Sequence, residues 1–244
     1  MTRKDKKAIV VGASSGIGKE VARLLIDDGW HVGIAARRLE PLTELKATAP
    51  DRVEVAAIDV TQPDAGERLL QLADKLGGMD LYFHSSGIGK QNRTLETEIE
   101  LRTIETNAVG FTRMIDTAYR YFAELGKGHI AAITSIAGTK GLGPAPAYSA
   151  TKALQANYLQ ALEQQARQNG LDIHITDIRP GFVDTALLSG TFHYPMMLRP
   201  ESVARDIVSS IYRRRHVRVI DLRYRILTFF WRLVPNWLWR RLRL

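Results

Sequence analysis

Tyr148 and Lys152 stand four residues apart in a stretch of helical periodicity, which places them on one helix face about a turn apart. The pairing suits proton transfer. A phenol titrates at about 10 and exchanges protons poorly at neutral pH. An ammonium beside it favours the phenolate and brings that value down. Ser135, thirteen residues before Tyr148, closes an apolar run that reads as a fifth strand. In an open sheet covered by helices, ligands bind beyond the carboxyl ends of the strands. Ser135 can therefore face the same crevice. The pair alone is a weak signal, since a surface tyrosine beside a solvated lysine has the same spacing.

A second constellation lies near the N-terminus. Val10-Val11-Gly12-Ala13-Ser14-Ser15-Gly16-Ile17-Gly18 follows the first apolar run and opens the first helical one. Glycines there allow a tight turn whose backbone can approach a pyrophosphate. The helix start beyond it offers unpaired N–H groups and a positive dipole end. A Walker loop is excluded, because Glu20 follows Lys19 where Ser or Thr is needed. The second run ends in Ala36-Arg37-Arg38, where a dinucleotide fold meets the adenosine ribose. An acid there would accept from a 2′-hydroxyl, whereas arginines suit a 2′-phosphate. NADP(H) is favoured over NAD(H), with a solvated basic turn as the alternative. Asp59 and Val60 follow the third run, where an adenine ring would lie.

The elements that must position these residues alternate along the chain. Apolar runs at 8–11, 32–36, 53–58, 81–84, 130–134, 173–178 and 217–220 read as strands. Helical patterns cover 17–28, 41–48, 64–76, 99–125, 147–169 and 201–212. Such alternation predicts βαβ units in one doubly wound parallel sheet of about seven strands, with helices on both faces. The body spans 1–220 and an amphipathic helical extension spans 221–244. The run at 8–11 is too short for a secretory h-region and reads as a buried strand. No stretch approaches the ~18 apolar residues of a membrane span.

Composition narrows the chemistry further. The chain has 244 residues and no cysteine, which excludes disulfides, thiolate metal sites and cysteine nucleophiles. Its six histidines show no metal-ligand spacing, so no metal is expected. The net charge of +8 is uneven. Residues 213–244 hold ten arginines and one acid, a net +9, which leaves the first 212 residues at −1.

Together these residues resemble the classical short-chain dehydrogenase/reductase family over about 6–220. The resemblance rests on the glycine turn, Asp59, Asn107, Ser135, Tyr148 with Lys152, and Pro180-Gly181, in the family's order and spacing. It implies a seven-stranded Rossmann sheet, with Tyr148 as proton donor or acceptor and Ser135 holding the substrate oxygen. Lys152 would bind the nicotinamide ribose and tune Tyr148, and Asn107 would hold a water in a proton relay. Gly87, Pro180, Gly181, Val183 and Thr185 would line the cofactor, Thr185 at the carboxamide. The family's Asn-Asn-Ala-Gly is here His84-Ser85-Ser86-Gly87. Ser85 can make fewer ties between strands than asparagine. His84 reads as a structural histidine, with a catalytic base as the alternative.

The expected substrate lid, 186–198, is mostly apolar and lacks a basic cluster, as does the facing segment 142–146. An apolar, lipid-like carbonyl substrate such as a long-chain ketone fits. Alternatively these residues cover the cofactor or pack a dimer. The tail mixes Trp231, Trp237 and Trp239 with arginines and leucines, and Pro235 divides it into two short helices. Such segments lie in membrane interfaces, although packing on the body or on another subunit is the competing outcome. Nucleic acid is not expected, because the arginines interleave with large aliphatics. The expectation is thus an NADP(H)-dependent carbonyl reductase, or the reverse reaction, against a catalytically silent dinucleotide sensor of the same fold. The family's habit implies a homodimer or tetramer through the long helices. A cytoplasmic location, with contact to a membrane surface through the tail, completes the picture.

Overall fold

The structure, a computed structural model, describes residues 5–188 and 194–242. Residues 189–193 of the expected lid, and Arg243 of the tail, lie outside the described residues. Seven strands form one sheet in the order β3-β2-β1-β4-β5-β6-β7. They are β1 (Lys7–Val11), β2 (His31–Ala36), β3 (Val53–Ala57), β4 (Leu81–His84), β5 (Lys127–Ile133), β6 (Asp172–Arg179) and β7 (Val217–Val219). All neighbours pair in parallel. The order reverses between β1 and β4, and in open sheets of this kind ligands bind beyond the carboxyl ends at such a reversal.

The strands are apolar throughout because both faces are covered. Ala8 and Val10 pack with α1 (Gly16–Asp27) and α7 (Pro200–Tyr212), through Val21, Leu25, Ile207 and Ile211. Ile9 and Val11 point the other way, onto α3 (Ala65–Leu76), α5 (Phe111–Leu125) and α6 (Pro146–Gln168). Alternation along a pleated strand feeds one residue to each layer in turn. Each fully buried Ile, Leu or Phe contributes about 1.5–3 kcal/mol. A short α2 (Glu40–Ala47) completes the first face.

The helical pattern at 99–125 is not one α-helix. It divides into α4 (Thr97–Ile104), a π-helical turn over Glu105–Gly110, and α5. The wider turn brings Asn107 onto the Ile88 peptide: its Oδ1 accepts from Ile88 N at 2.9 Å and its Nδ2 donates to Ile88 O at 2.7 Å. Such turns inside helices concentrate at functional sites.

The extension forms α8 (Leu222–Leu233) and the short α9 (Asn236–Trp239), separated at Pro235. One side packs on the body. Tyr224, Thr228 and Trp239 are buried, and Trp239 Nε1 donates to Gly141 O at 2.7 Å. Lys140 Nζ donates to Val234 O at 3.1 Å and to Asn236 Oδ1 at 2.7 Å. The opposite side stays open to solvent, with Phe229, Phe230, Leu233 and Trp237 all exposed.

Candidate active site

The glycine turn takes the conformation that only glycine adopts easily. Gly12 has φ +91° and Gly16 has φ +54°. Gly12 N donates to Ala35 O at 2.8 Å, which ties the turn to β2. A Cβ on Gly12 would lie 2.6 Å from Ser86 N, so β1 and the end of β4 approach as closely as a backbone allows. Ser85 N donates to Val11 O at 2.8 Å, so the main chain makes the tie between these strand ends. Ser15 caps α1 without a side-chain bond, and no acid lies in the first helical turn. A Cβ on Gly16 would lie 3.1 Å from the Thr185 methyl, so the segment after β6 closes over the turn from the opposite side.

Arg37 and Arg38 leave the end of β2 exposed, and neither is in an ion pair with a described residue. The Asp59 carboxylate accepts from Thr61 N at 3.1 Å and from Thr61 Oγ1 at 2.8 Å, which fixes the turn after β3. Val60 is buried beside Gly110, and its carbonyl accepts from Arg113 at 2.7 Å. Gly87 is exposed in front of the lysine: a Cβ there would sit 3.7 Å from Lys152 Nζ. Pro180 O accepts from Ile136 N at 3.1 Å, Val183 is buried against Leu198, and Gly181 backs onto the Tyr224 ring.

α6 starts at Pro146, whose fixed φ suits a first helical position. The Glu100 carboxylate from α4 accepts from Ala147 N at 2.8 Å and satisfies one of the open N–H groups there. That contact anchors the helix one residue before Tyr148. Lys152, one turn on, is 4% exposed. Its Nζ lies 5.7 Å from the centre of the Tyr148 ring. It donates to Ile133 O at 3.1 Å and to Gln155 Oε1 at 2.9 Å. Burial pulls its pKa down to about 8, against the opposing pull of the Asp177 carboxylate. Burial raises Tyr148, and a hydrogen bond with Ser135 acts in the other direction. Ser135 Oγ also accepts from Ala137 N at 3.0 Å. The four residues Asn107, Ser135, Tyr148 and Lys152 thus converge from the π-helical turn, the end of β5 and one face of α6.

His84 is fully buried, and both ring nitrogens are taken. The Ser86 carbonyl can only accept, so Nε2 carries the proton at 3.1 Å, and Nδ1 accepts from the Tyr82 hydroxyl at 2.8 Å. Burial first, and then the Lys152 charge, lower its pKa to about 3. It is a neutral structural group, not a base. Sequence reasoning missed Glu100, Gln155 and Tyr224. The signal for Gln155 was legible: a polar residue three after Lys152, on the inward face of a helix that continues with buried Leu159 and Leu162.

The family described as short chain dehydrogenase matches residues 6–194. An uncharacterized oxidoreductase of Mycobacterium tuberculosis is 31% identical over 217 residues, covering 85% of each chain. One of Staphylococcus aureus is 30% identical over 228 residues, covering 91% of this chain and 97% of its own. Among solved structures, actinorhodin polyketide ketoreductase with NADPH superposes with TM-score 0.75 at 27% identity, covering 86% of this chain and 91% of its own. The serine dehydrogenase of Escherichia coli superposes with TM-score 0.73 at 28% identity, covering 83% of this chain and 89% of its own. This chain belongs to the short-chain dehydrogenase/reductase family and is an oxidoreductase with a Rossmann-type sheet.

The residues present fit the family's nicotinamide dinucleotide. The positive-φ glycines bring backbone against the crevice, α1 opens without an acid, and Gly87 leaves space in front of Lys152. The glycine turn would hold the pyrophosphate, and Lys152 the ribose beside the nicotinamide. The group, when bound, supplies hydride exchange. The chain's own part would be to align a substrate oxygen through Ser135 and to move a proton at the Tyr148 hydroxyl. Lys152 would favour the ionised phenol by charge, against the burial that raises Tyr148.

Proposed function

We propose that this protein is an NADP(H)-dependent reductase that converts an apolar, lipid-like carbonyl compound to its alcohol, or runs the reverse oxidation. The observation that carries this reading is the convergence of Ser135, Tyr148 and Lys152, with the ammonium 5.7 Å from the phenol ring. Arg37 and Arg38, exposed beyond β2 and unpaired among the described residues, support the phosphorylated cofactor. A ketoreductase carrying NADPH among the similar structures agrees with both. The apolar residues after β6 support an apolar substrate. Phe182 lies against Tyr194, ring centres 4.6 Å apart, and Met197 is exposed nearby in the chain.

Two further parts belong to this reading. The protein works as a homodimer or tetramer, supported by Leu101, Ile104, Val109 and Leu154, which α4, the π-helical turn and α6 turn toward solvent. It is cytoplasmic and touches an anionic membrane surface through the tail. The outer side of α8 and α9 combines exposed Phe229, Phe230 and Trp237 with Arg225, Arg232 and Arg240. Among the described residues no helix is long and apolar enough to cross a membrane.

A panel of ketones and alcohols of graded chain length, assayed with NADPH and NADH, tests the reading. NADPH-dependent turnover that rises with chain length is the expected result. Preference for short polar substrates, or equal use of the two cofactors, would overturn it.

A further inference from the structure

Gln155 is fully buried, yet it belongs to none of the motifs that define the site. Its amide spans two site residues. Oε1 accepts from Lys152 Nζ at 2.9 Å, and Nε2 donates to the main-chain carbonyl of Asn107 at 2.8 Å. The chemistry at the two ends is opposite. An ammonium can only donate and a carbonyl oxygen can only accept. A carboxamide meets both, with one orientation, and carries no charge. A carboxylate here would set oxygen against the Asn107 carbonyl, and a cation would repel Lys152. An apolar side chain would leave the buried ammonium one acceptor, Ile133 O at 3.1 Å.

We propose that Gln155 is a positioning residue that ties the Lys152 ammonium to the main chain of the π-helical turn, holding it at a fixed place beside Tyr148. The proposal rests on the proton-transfer reading of Tyr148 and Lys152. The anchor is itself held, because the Asn107 side chain is bonded to both polar atoms of the Ile88 peptide. The amide has no proton that titrates in this range, so the bridge holds Lys152 and does not relay protons. Few other groups bear on the ammonium. Tyr148 faces it from α6, and His84 on β4 is neutral. Asp177 on β6 shares its charge with Arg179 at 2.6 Å.

The test follows the ionisation of Lys152 directly, by the 13Cε signal of labelled lysine in the full chain, with Lys152→Arg identifying the peak. Gln155→Leu removes the acceptor, and the Lys152 midpoint is expected to fall by about one pH unit. Gln155→Glu supplies a negative acceptor, and the midpoint is expected to rise by a similar amount. In the unmodified protein, the Gln155 side-chain NH2 signals should move with the Lys152 midpoint. That measurement needs no variant and so survives misfolding of either one. Unchanged Lys152 titration in folded variants, or Gln155 signals indifferent to it, would overturn the proposal. Because these readouts do not require turnover, a shift without activity on any ketone supports the bridge and counts against the carbonyl reading. With an active substrate, the pH profile of kcat/KM should move in the same directions.

Discussion

Tyr224, in the extension, fills the space that Gly181 leaves empty in the body. A Cβ on Gly181 would overlap the tyrosine ring. The Tyr224 hydroxyl accepts from Phe182 N at 3.2 Å and lies 3.1 Å from Pro195 O and 3.0 Å from Met196 O, so it joins the segment after β6 to the later part of the 186–198 stretch. Tyr224→Ala should therefore destabilise the protein by about 3–5 kcal/mol, by analogy with other buried aromatic truncations. Denaturant unfolding measures this. A loss under about 1 kcal/mol would mean that the tail does not dock as described.

Tyr148→Phe should abolish turnover while NADPH binding, read by fluorescence titration, stays within a few-fold. The ring still packs against Gly89, where a Cβ would lie 2.7 Å away, and only the proton is lost. Activity above about 1% of the parent would mean that another group supplies it. His84 is a poor replacement, because both its nitrogens are engaged.

Replacing Arg37 and Arg38 by Ala should erase most of the preference for NADPH. Each charge-assisted bond to a 2′-phosphate contributes about 1.5 kcal/mol at an exposed site, or about tenfold in affinity. Dissociation constants for both cofactors, measured before and after, decide it. NADH affinity should be nearly unchanged.

Acid should weaken the fold in a way traceable to His84. Its folded pKa of about 3 lies below the unfolded value near about 6.5, so the unfolded chain takes up a proton that the folded chain refuses. Stability is therefore full above about pH 6.5 and declines as pH falls toward 3. The slope approaches about 1.4 kcal/mol per pH unit for one histidine. His129, whose pKa burial lowers to about 3 as well, contributes in the same window. Unfolding curves between about pH 7 and 5 should therefore approach about twice that slope as pH falls, and His84→Gln should remove about half of it. An unchanged slope in the variant would place the titration elsewhere.

The outer face of the tail can be tested without disturbing its inner face. Phe229→Ser, Phe230→Ser and Trp237→Ser together should leave Tm almost unchanged, because all three side chains are exposed. Flotation with anionic vesicles should be lost. In the parent, binding should weaken with salt, at about 1 kcal/mol per arginine near the surface. Deleting the whole tail is a poorer experiment, since Tyr224 and Trp239 are buried against the body.

Much of the site was legible because its logic is local. Tyr148 and Lys152 share a face by helix geometry, and the glycine turn follows from backbone positions at positive φ. Alternating apolar runs gave the strands, although β5 starts at Lys127, three residues before its apolar run, through pairing with β6. The helix expected over 99–125 shows the limit. Its periodicity continues across Glu105–Gly110, while the wider turn coincides with tertiary bonds that the period does not show: Asn107 to Ile88, and Gln155 Nε2 to Asn107 O.

What the sequence by itself determined was the sheet and the shared helix face of Tyr148 and Lys152, since these depend on short-range spacing and on the burial pattern of single elements. Tertiary structure alone decided which partners those groups meet. Glu100 reaches the start of α6 from 47 residues away, Gln155 reaches Asn107 from 48, and Tyr224 meets Phe182 across 42. Such bonds form only after packing has excluded water, when a buried donor must find whichever acceptor the neighbouring element presents. No period along the chain encodes that choice. The ionisation of Lys152 and His84 follows from it, because both are set by burial and by neighbours brought from distant segments.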